Sequence, residues 1–171
     1  FRGLSCAFPA GRLSVVLGGS GSGKSTILRM IGGLVVPLSG RVTVGDVDVA
    51  HCSDRELADV RRHIGMLFQG GALLDSLSVY DNLALPLREY GDPGEAEIAR
   101  VIQERLAAVD LHEVEALLPG QLSGGMTKRA ALARAIVRAP EILLCDEPFS
   151  GLDPISSRRI EALLVRINRT L

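Results

Sequence analysis

Nowhere do the 171 residues hold the roughly 18 uninterrupted apolar positions that a membrane-spanning helix requires, and the first residues lack the charged-then-apolar layout of a secretory signal. The expectation is a soluble, cytosolic polypeptide. Cysteine is scarce as well. Cys6, Cys52 and Cys145 are an odd number at wide spacings, with no C-x-x-C pair and only three histidines to help bind a metal, so free thiols are expected. Cys145 stands inside an apolar run and reads as a small buried residue, not a nucleophile. An excess of either charge is also missing: 19 Lys plus Arg against 20 Asp plus Glu leave a net charge of −1 and no basic footprint for nucleic acid, which is not expected as a partner. Internal repeats, low-complexity tracts and long linkers are absent too.

What is there suffices for one core. Hydrophobic residues make up 47% of the chain and charged residues 23%, a balance that suits a single domain. The chain starts at Phe1 and stops at Leu171 inside a helical pattern over residues 155–171, so a domain cut at both ends is expected. A β-rich run at 13–17, a glycine loop, and a helical stretch at 24–31 closed by Gly32 and Gly33 predict strand, loop and helix. Short runs at 41–44 and 47–49, an amphipathic helix at 54–62 and the apolar run 64–68 predict strands flanking a helix. From 70 to 121 the texture is helical, at 79–90 and 95–109, with breaks at Pro86, from Gly91 to Gly94, and at Pro119 and Gly120. A helix at 125–137, a buried strand at 142–146 and a helix from Pro154 complete the chain. Alternating strands and helices argue for an α/β sheet core with a mainly helical subdomain inserted into it.

Gly18, Gly19, Ser20, Gly21, Ser22, Gly23, Lys24, Ser25 and Thr26 fit the phosphate-loop pattern G-x-x-x-x-G-K-[ST] between a predicted strand and a predicted helix. Glycines let successive N–H groups turn inward toward phosphate oxygens, and the following helix offers its positive end to the same anion. Lys24 would neutralise the outer phosphates of ATP, Ser25 would ligate Mg²⁺ through its hydroxyl, and Thr26 would extend the donor set. Residues 142–147 are four apolar or near-apolar positions ending in Asp146 and Glu147, the look of a strand delivering carboxylates at its C-terminal edge. Asp146 would hold the Mg²⁺ shell, and Glu147 would orient and deprotonate an attacking water. Ser123, Gly124 and Gly125 open a helix carrying Lys128, Arg129, Arg134 and Arg138, and read as a second anion site. One phosphate loop already serves one ATP, so a second such site suggests a second nucleotide or a facing subunit.

Taken together, the phosphate loop, the signature phrase from Leu122 to Gly125, Asp146 with Glu147, and Ser150-Gly151-Leu152-Asp153 resemble the ATP-binding subunits of ABC transporters, in the same order and over nearly the whole chain. The resemblance implies a phosphate-loop NTPase core at 1–69, a helical subdomain at 70–121, and the signature helix, catalytic strand and following helix at 122–171. It also implies that Gln69 reaches the metal and the attacking water. Residues 65–79 and 122–135 are similar to the Mla-type branch, in which the ATPase works with a multispanning permease and a periplasmic lipid-binding MCE-domain protein. Met126 in place of the usual Gln fits that branch; Gly19 and Gly151 stand where Pro and Ala are more common. The adenine-stacking aromatic is expected before Phe1 and the histidine switch beyond Leu171. His51, His63 and His112 read as surface or packing residues.

That family resemblance implies a head-to-tail homodimer at the cytoplasmic face of the inner membrane. In the arrangement the resemblance implies, each ATP would be held by Lys24 and Ser25 of one copy and capped by Ser123, Gly124 and Gly125 of the other, and Asp153 would link the two sites. Residues 72–74 read equally as subdomain core or as a surface passing movement to the permease. Importers of small polar solutes and lipoprotein exporters share this machinery. Chromosome-maintenance ATPases do not suit the chain, because no sustained heptads lie between Gln69 and Ser123. A non-catalytic nucleotide sensor would be expected to lose Lys24 or Glu147, and both are present.

Overall fold

The computed structural model describes residues 2–90 and 94–170; Phe1, Leu171 and the break at Gly91 therefore lie outside the described residues. In chain order the elements are α1 (Lys24–Ile31), β1 (Thr43–Val44), β2 (Val47–Asp48), α2 (Asp54–Arg62), β3 (Ile64–Leu67), α3 (Val79–Tyr90), α4 (Glu95–Ala108), a 3₁₀ turn (Pro119–Gln121), α5 (Gly124–Ala135), β4 (Ile142–Cys145) and α6 (Pro154–Thr170). The class is α/β, as expected.

Two short ladders hold the strands. β1 and β2 form an antiparallel pair, with Thr43 opposite Asp48 and Val44 opposite Val47. β3 and β4 run parallel, with Ile64 beside Ile142 and Leu67 beside Cys145, so both strands end at one edge. The expected strand at 13–17 is not formed. Leu13, Val15 and Leu17 are 59%, 70% and 87% exposed, and no strand among the described residues lies against their backbone to complete a ladder. β4 is less buried than its apolar run suggested: only Leu144 is fully inside.

The core lies instead between α3, α4, α5 and β3, which pack on one another. Ile98, Ile102 and Leu106, four apart on α4, form its buried stripe. Residues 130–133 of α5 are buried on successive positions, and three of the four are alanines, small enough for the helix to sit between its neighbours. Gly65 takes this furthest. A Cβ there would stand 2.1 Å from the Ala135 carbonyl oxygen and 2.9 Å from Pro140, so the end of α5 rests directly on the β3 backbone.

Local signals explain the helix limits. Ser53 and Glu56 form a reciprocal capping box at the start of α2. Gly33, at φ 67°, closes α1, and Arg61 of α2 donates to the Gly33 carbonyl at 2.8 Å. Pro86 does not break α3, which runs through it: one missing N–H is tolerated in a helix anchored by fully buried Val79, Leu83 and Ala84. Asn82, also fully buried, accepts from Leu74 N–H and donates to the carbonyls of Leu74, Leu77 and Ser78, stapling the segment before α3 to the helix. Of residues 72–74, Leu73 packs against the core and Leu74 is 45% exposed.

Candidate functional site

The glycine loop turns at Gly21, φ 74°, and Gly23, φ 94°, the second being the N-cap of α1. No side chain caps that helix, so its first-turn N–H groups and positive dipole end stay available to an anion. At Gly18 a Cβ would meet the Ser22 hydroxyl at 2.6 Å, whereas Gly19 has open space around it. Ser22 N–H donates to the Gly19 carbonyl at 3.3 Å, which closes a turn over Ser20 and Gly21. Lys24 reaches back across the loop, its ammonium donating to the carbonyls of Gly18 at 3.0 Å and Gly19 at 2.9 Å. Ser25 and Thr26 follow in the first turn of α1, both half-buried.

The second group of residues comes from the common edge of β3 and β4. Asp146, 3% exposed, follows β4 and is fixed there by its N–H donating to the Leu67 carbonyl at 2.8 Å. Its carboxylate accepts from the Ser25 hydroxyl at 2.7 Å, which joins the glycine loop to this edge. Glu147 has a left-handed backbone, φ 45°, an arrangement that costs roughly 1–2 kcal/mol for a residue with a Cβ. A turn from its carbonyl to Ser150 N–H, 3.0 Å, holds it. The bend exposes the side chain, which accepts from the Gln69 amide at 2.6 Å. Gln69 stands two residues past β3, so the parallel register delivers it beside the acids.

Ser123, Gly124, Gly125 and Asp153 form a separate group. Ser123 caps α5 by accepting from Met126 N–H at 3.3 Å. A Cβ on Gly125 would lie 3.1 Å from the Ser156 hydroxyl, so the close approach this glycine allows is to the chain's own α6, while Gly124 faces open space. Asp153 caps α6: it accepts from the N–H groups of Ile155 at 2.9 Å and Ser156 at 3.0 Å and from the Ser156 hydroxyl at 2.5 Å. These bonds, the Ser156 hydroxyl foremost, hold its carboxyl below the usual range. Among the described residues, no hydrogen bond joins this group to the glycine loop.

Three cations expected to serve a second anion site are occupied elsewhere. Lys128 is buried and donates to the Gln69 carbonyl. Arg129 donates to the Asp110 carbonyl at 2.5 Å, and Arg134 to the carbonyls of Ala72 at 2.7 Å and Gly71 at 3.0 Å. The side chains fold down onto loop carbonyls in place of the anion that the sequence suggested. Cys145 is held against the core, and burial pushes its thiol up to about 12, in keeping with an inert residue. His51, His63 and His112 are exposed.

A glycine loop feeding an uncapped helix, with a serine hydroxyl bonded to a strand-end aspartate, defines a phosphate-loop nucleotide-binding protein. The family model for ABC transporters matches residues 1–150, and the chain belongs to that family. It is 47% identical over 165 residues to the Mycobacterium tuberculosis protein named Probable ribonucleotide transport ATP-binding protein mkl, covering 96% of this chain and 46% of that one. It is 43% identical over 171 residues to the Haemophilus influenzae protein named Intermembrane phospholipid transport system ATP-binding protein MlaF, covering 100% of this chain and 65% of that one. The chain thus spans about half to two thirds of the length of these curated relatives. Among solved structures it is similar to the dimeric bacterial ABC transporter cassette MJ0796, with a TM-score of 0.89 and 35% identity over 96% of this chain and 73% of that one.

Proposed function

We propose that this chain is the nucleotide-binding part of an ABC transporter ATPase that binds and hydrolyses MgATP to energise transport, with phospholipid as the cargo class. The observation that carries the reading is the convergence of Ser25 on Asp146 and of Gln69 on Glu147 at one edge of the parallel strands. The donor set suits Mg²⁺: a hydroxyl, a carboxylate and the oxygen of an amide whose nitrogen is already engaged are all hard oxygen ligands. When bound, the ion neutralises phosphate charge. Gly18, Gly19, Ser20, Gly21, Ser22, Gly23 and Thr26 surround the phosphates, Lys24 balances their charge, and Glu147 accepts a proton from the attacking water that Gln69 helps to orient.

Ser123, Gly124, Gly125 and Asp153 make no bond to the loop of their own chain, which supports a head-to-tail dimer in which they complete a partner's site. The dimeric form of the similar cassette MJ0796 supports the same arrangement. In this reading residues 70–121, the helical subdomain inserted between 1–69 and 122–171, face a multispanning permease at the cytoplasmic side of the membrane. Likeness to MlaF and Met126 after the glycines support lipid cargo with an MCE-domain partner. The likeness to mkl, whose name gives ribonucleotide transport, favours a second reading, an importer of a polar solute.

The test is mass spectrometry of what co-purifies with the tagged full-length chain from its native cell in mild detergent. A permease, an MCE-domain protein and phospholipid would support lipid transport; a permease with a soluble solute-binding protein would move the cargo to a polar solute.

A further inference from the structure

Lys128 lies in the second turn of α5, five residues past Ser123. It is 6% exposed, and its ammonium donates to the main-chain carbonyl of Gln69. Burial lowers its pKa, while the charges of Glu147 and Asp146 act the other way. A buried ammonium is costly unless it is hydrogen-bonded and faces opposite charge, and here it has both. Gln69 is therefore gripped at two points. Its carbonyl is held by Lys128, and its amide meets Glu147 at 2.6 Å. Arg134, further along the same helix, takes the carbonyls of Gly71 and Ala72, so α5 holds the loop after β3 at three carbonyls within four residues.

We propose that Lys128 is a positioning residue for ATP hydrolysis: by anchoring the Gln69 carbonyl it sets where the Gln69 amide meets Glu147, and so ties the helix that begins at Ser123 to the hydrolytic carboxylate. The inference rests on the roles given above to Glu147 and Gln69. Its physical basis is the steep dependence of catalysis on placement, in which a displacement of about 1 Å costs on the order of 100-fold in rate. A lysine that merely filled the core would act on stability, with no dependence on the Gln69 side chain.

The experiment is steady-state MgATP hydrolysis by the full-length chain carrying Lys128→Met, Lys128→Gln or Lys128→Arg, each alone and combined with Gln69→Ala, with thermal melting in parallel. The Met and Gln variants should keep KM within about twofold and lose roughly 10- to 100-fold in kcat, while Arg, which keeps a donor and a charge, should stay within about fivefold. In the Gln69→Ala background Lys128→Met should cost nothing further, because coupled residues are not additive. Wild-type kcat in the Met variant overturns the proposal. So does an equal loss with and without the Gln69 side chain, or failure of both the Met and Gln variants to fold, since either assigns Lys128 to packing alone. Glu147→Gln in the same assay separates the two levels of the argument. If it keeps full turnover, the base assignment falls and the inference with it; if it is arrested while the Lys128 variants behave as wild type, the inference alone falls.

Discussion

Ser25 and Asp146, 121 positions apart in the sequence, meet through a 2.7 Å hydrogen bond from hydroxyl to carboxylate. The bond joins two features that arise from different local physics. The serine follows a loop that turns at two left-handed glycines, Gly21 and Gly23, and the aspartate follows a strand paired with β3, its N–H held by the Leu67 carbonyl. Because Asp146 is buried, its position is fixed by the fold and not by a solvated loop.

A first prediction follows from this pair. Asp146→Asn keeps the shape of the side chain and a possible bond to Ser25, but removes the negative charge that draws a divalent cation. The Mg²⁺ concentration for half-maximal hydrolysis by the full-length chain should rise about tenfold or more, with the fold unchanged by circular dichroism. An unaltered Mg²⁺ titration would remove Asp146 from the metal site.

Glu147 and Lys24 should separate chemistry from binding. Glu147→Gln removes the proton acceptor and should lower kcat by about 100-fold or more while leaving ATP affinity within a few-fold, and should trap the closed dimer visible by size-exclusion chromatography. Lys24→Ala removes a charge-assisted hydrogen bond to phosphate, an effect of roughly 10- to 100-fold on ATP affinity measured by fluorescent-nucleotide titration. Full turnover by the Glu147 variant would sink the base assignment.

How much of this was legible in the sequence depends on how local the cause is. α1 and α2 fall on the expected residues because their limits are set by glycine at the end of one and a capping box at the start of the other. β3 and β4 were readable from apolar runs, whereas the bond from Gln69 to Glu147 that their parallel register sets up was not, because it depends on pairing between distant segments. The run at 13–17 shows the limit. Its alternation is a property of the chain, but a strand requires a neighbour, and none pairs with it among the described residues. Lys128 shows another limit. Nothing in its neighbours along the chain marks it as buried; the cause is an unpaired carbonyl 59 positions away.

Gly65 carries a stability prediction. With the Ala135 carbonyl oxygen 2.1 Å from where a Cβ would stand, Gly65→Ala must push α5 away from β3, and both flanking elements are packed too densely to yield cheaply. A loss of about 2 kcal/mol or more is expected from urea unfolding of the full-length chain. Gly120→Ala, where the added methyl meets nothing within 4 Å, is the control and should change stability far less.

The last prediction concerns pH. Burial raises the Cys145 thiol from its ordinary 9.0 to about 12 in the folded chain. Below about pH 9 the folded and unfolded chains both hold this proton, and the group contributes no pH dependence. Between about 9 and about 12 the unfolded thiol ionises while the folded one does not, so the folded state binds more protons and stability falls as pH rises through that window. The same burial predicts reactivity. Cys6 is exposed, so near pH 8 iodoacetamide should label it readily, while Cys145 should resist until the protein unfolds, because the thiolate is the nucleophile and burial suppresses it. Peptide mapping after timed alkylation reads both sites at once, and labelling of Cys145 at the rate of Cys6 would show that the end of β4 opens readily and that its neighbours Asp146 and Glu147 are not held by a rigid edge.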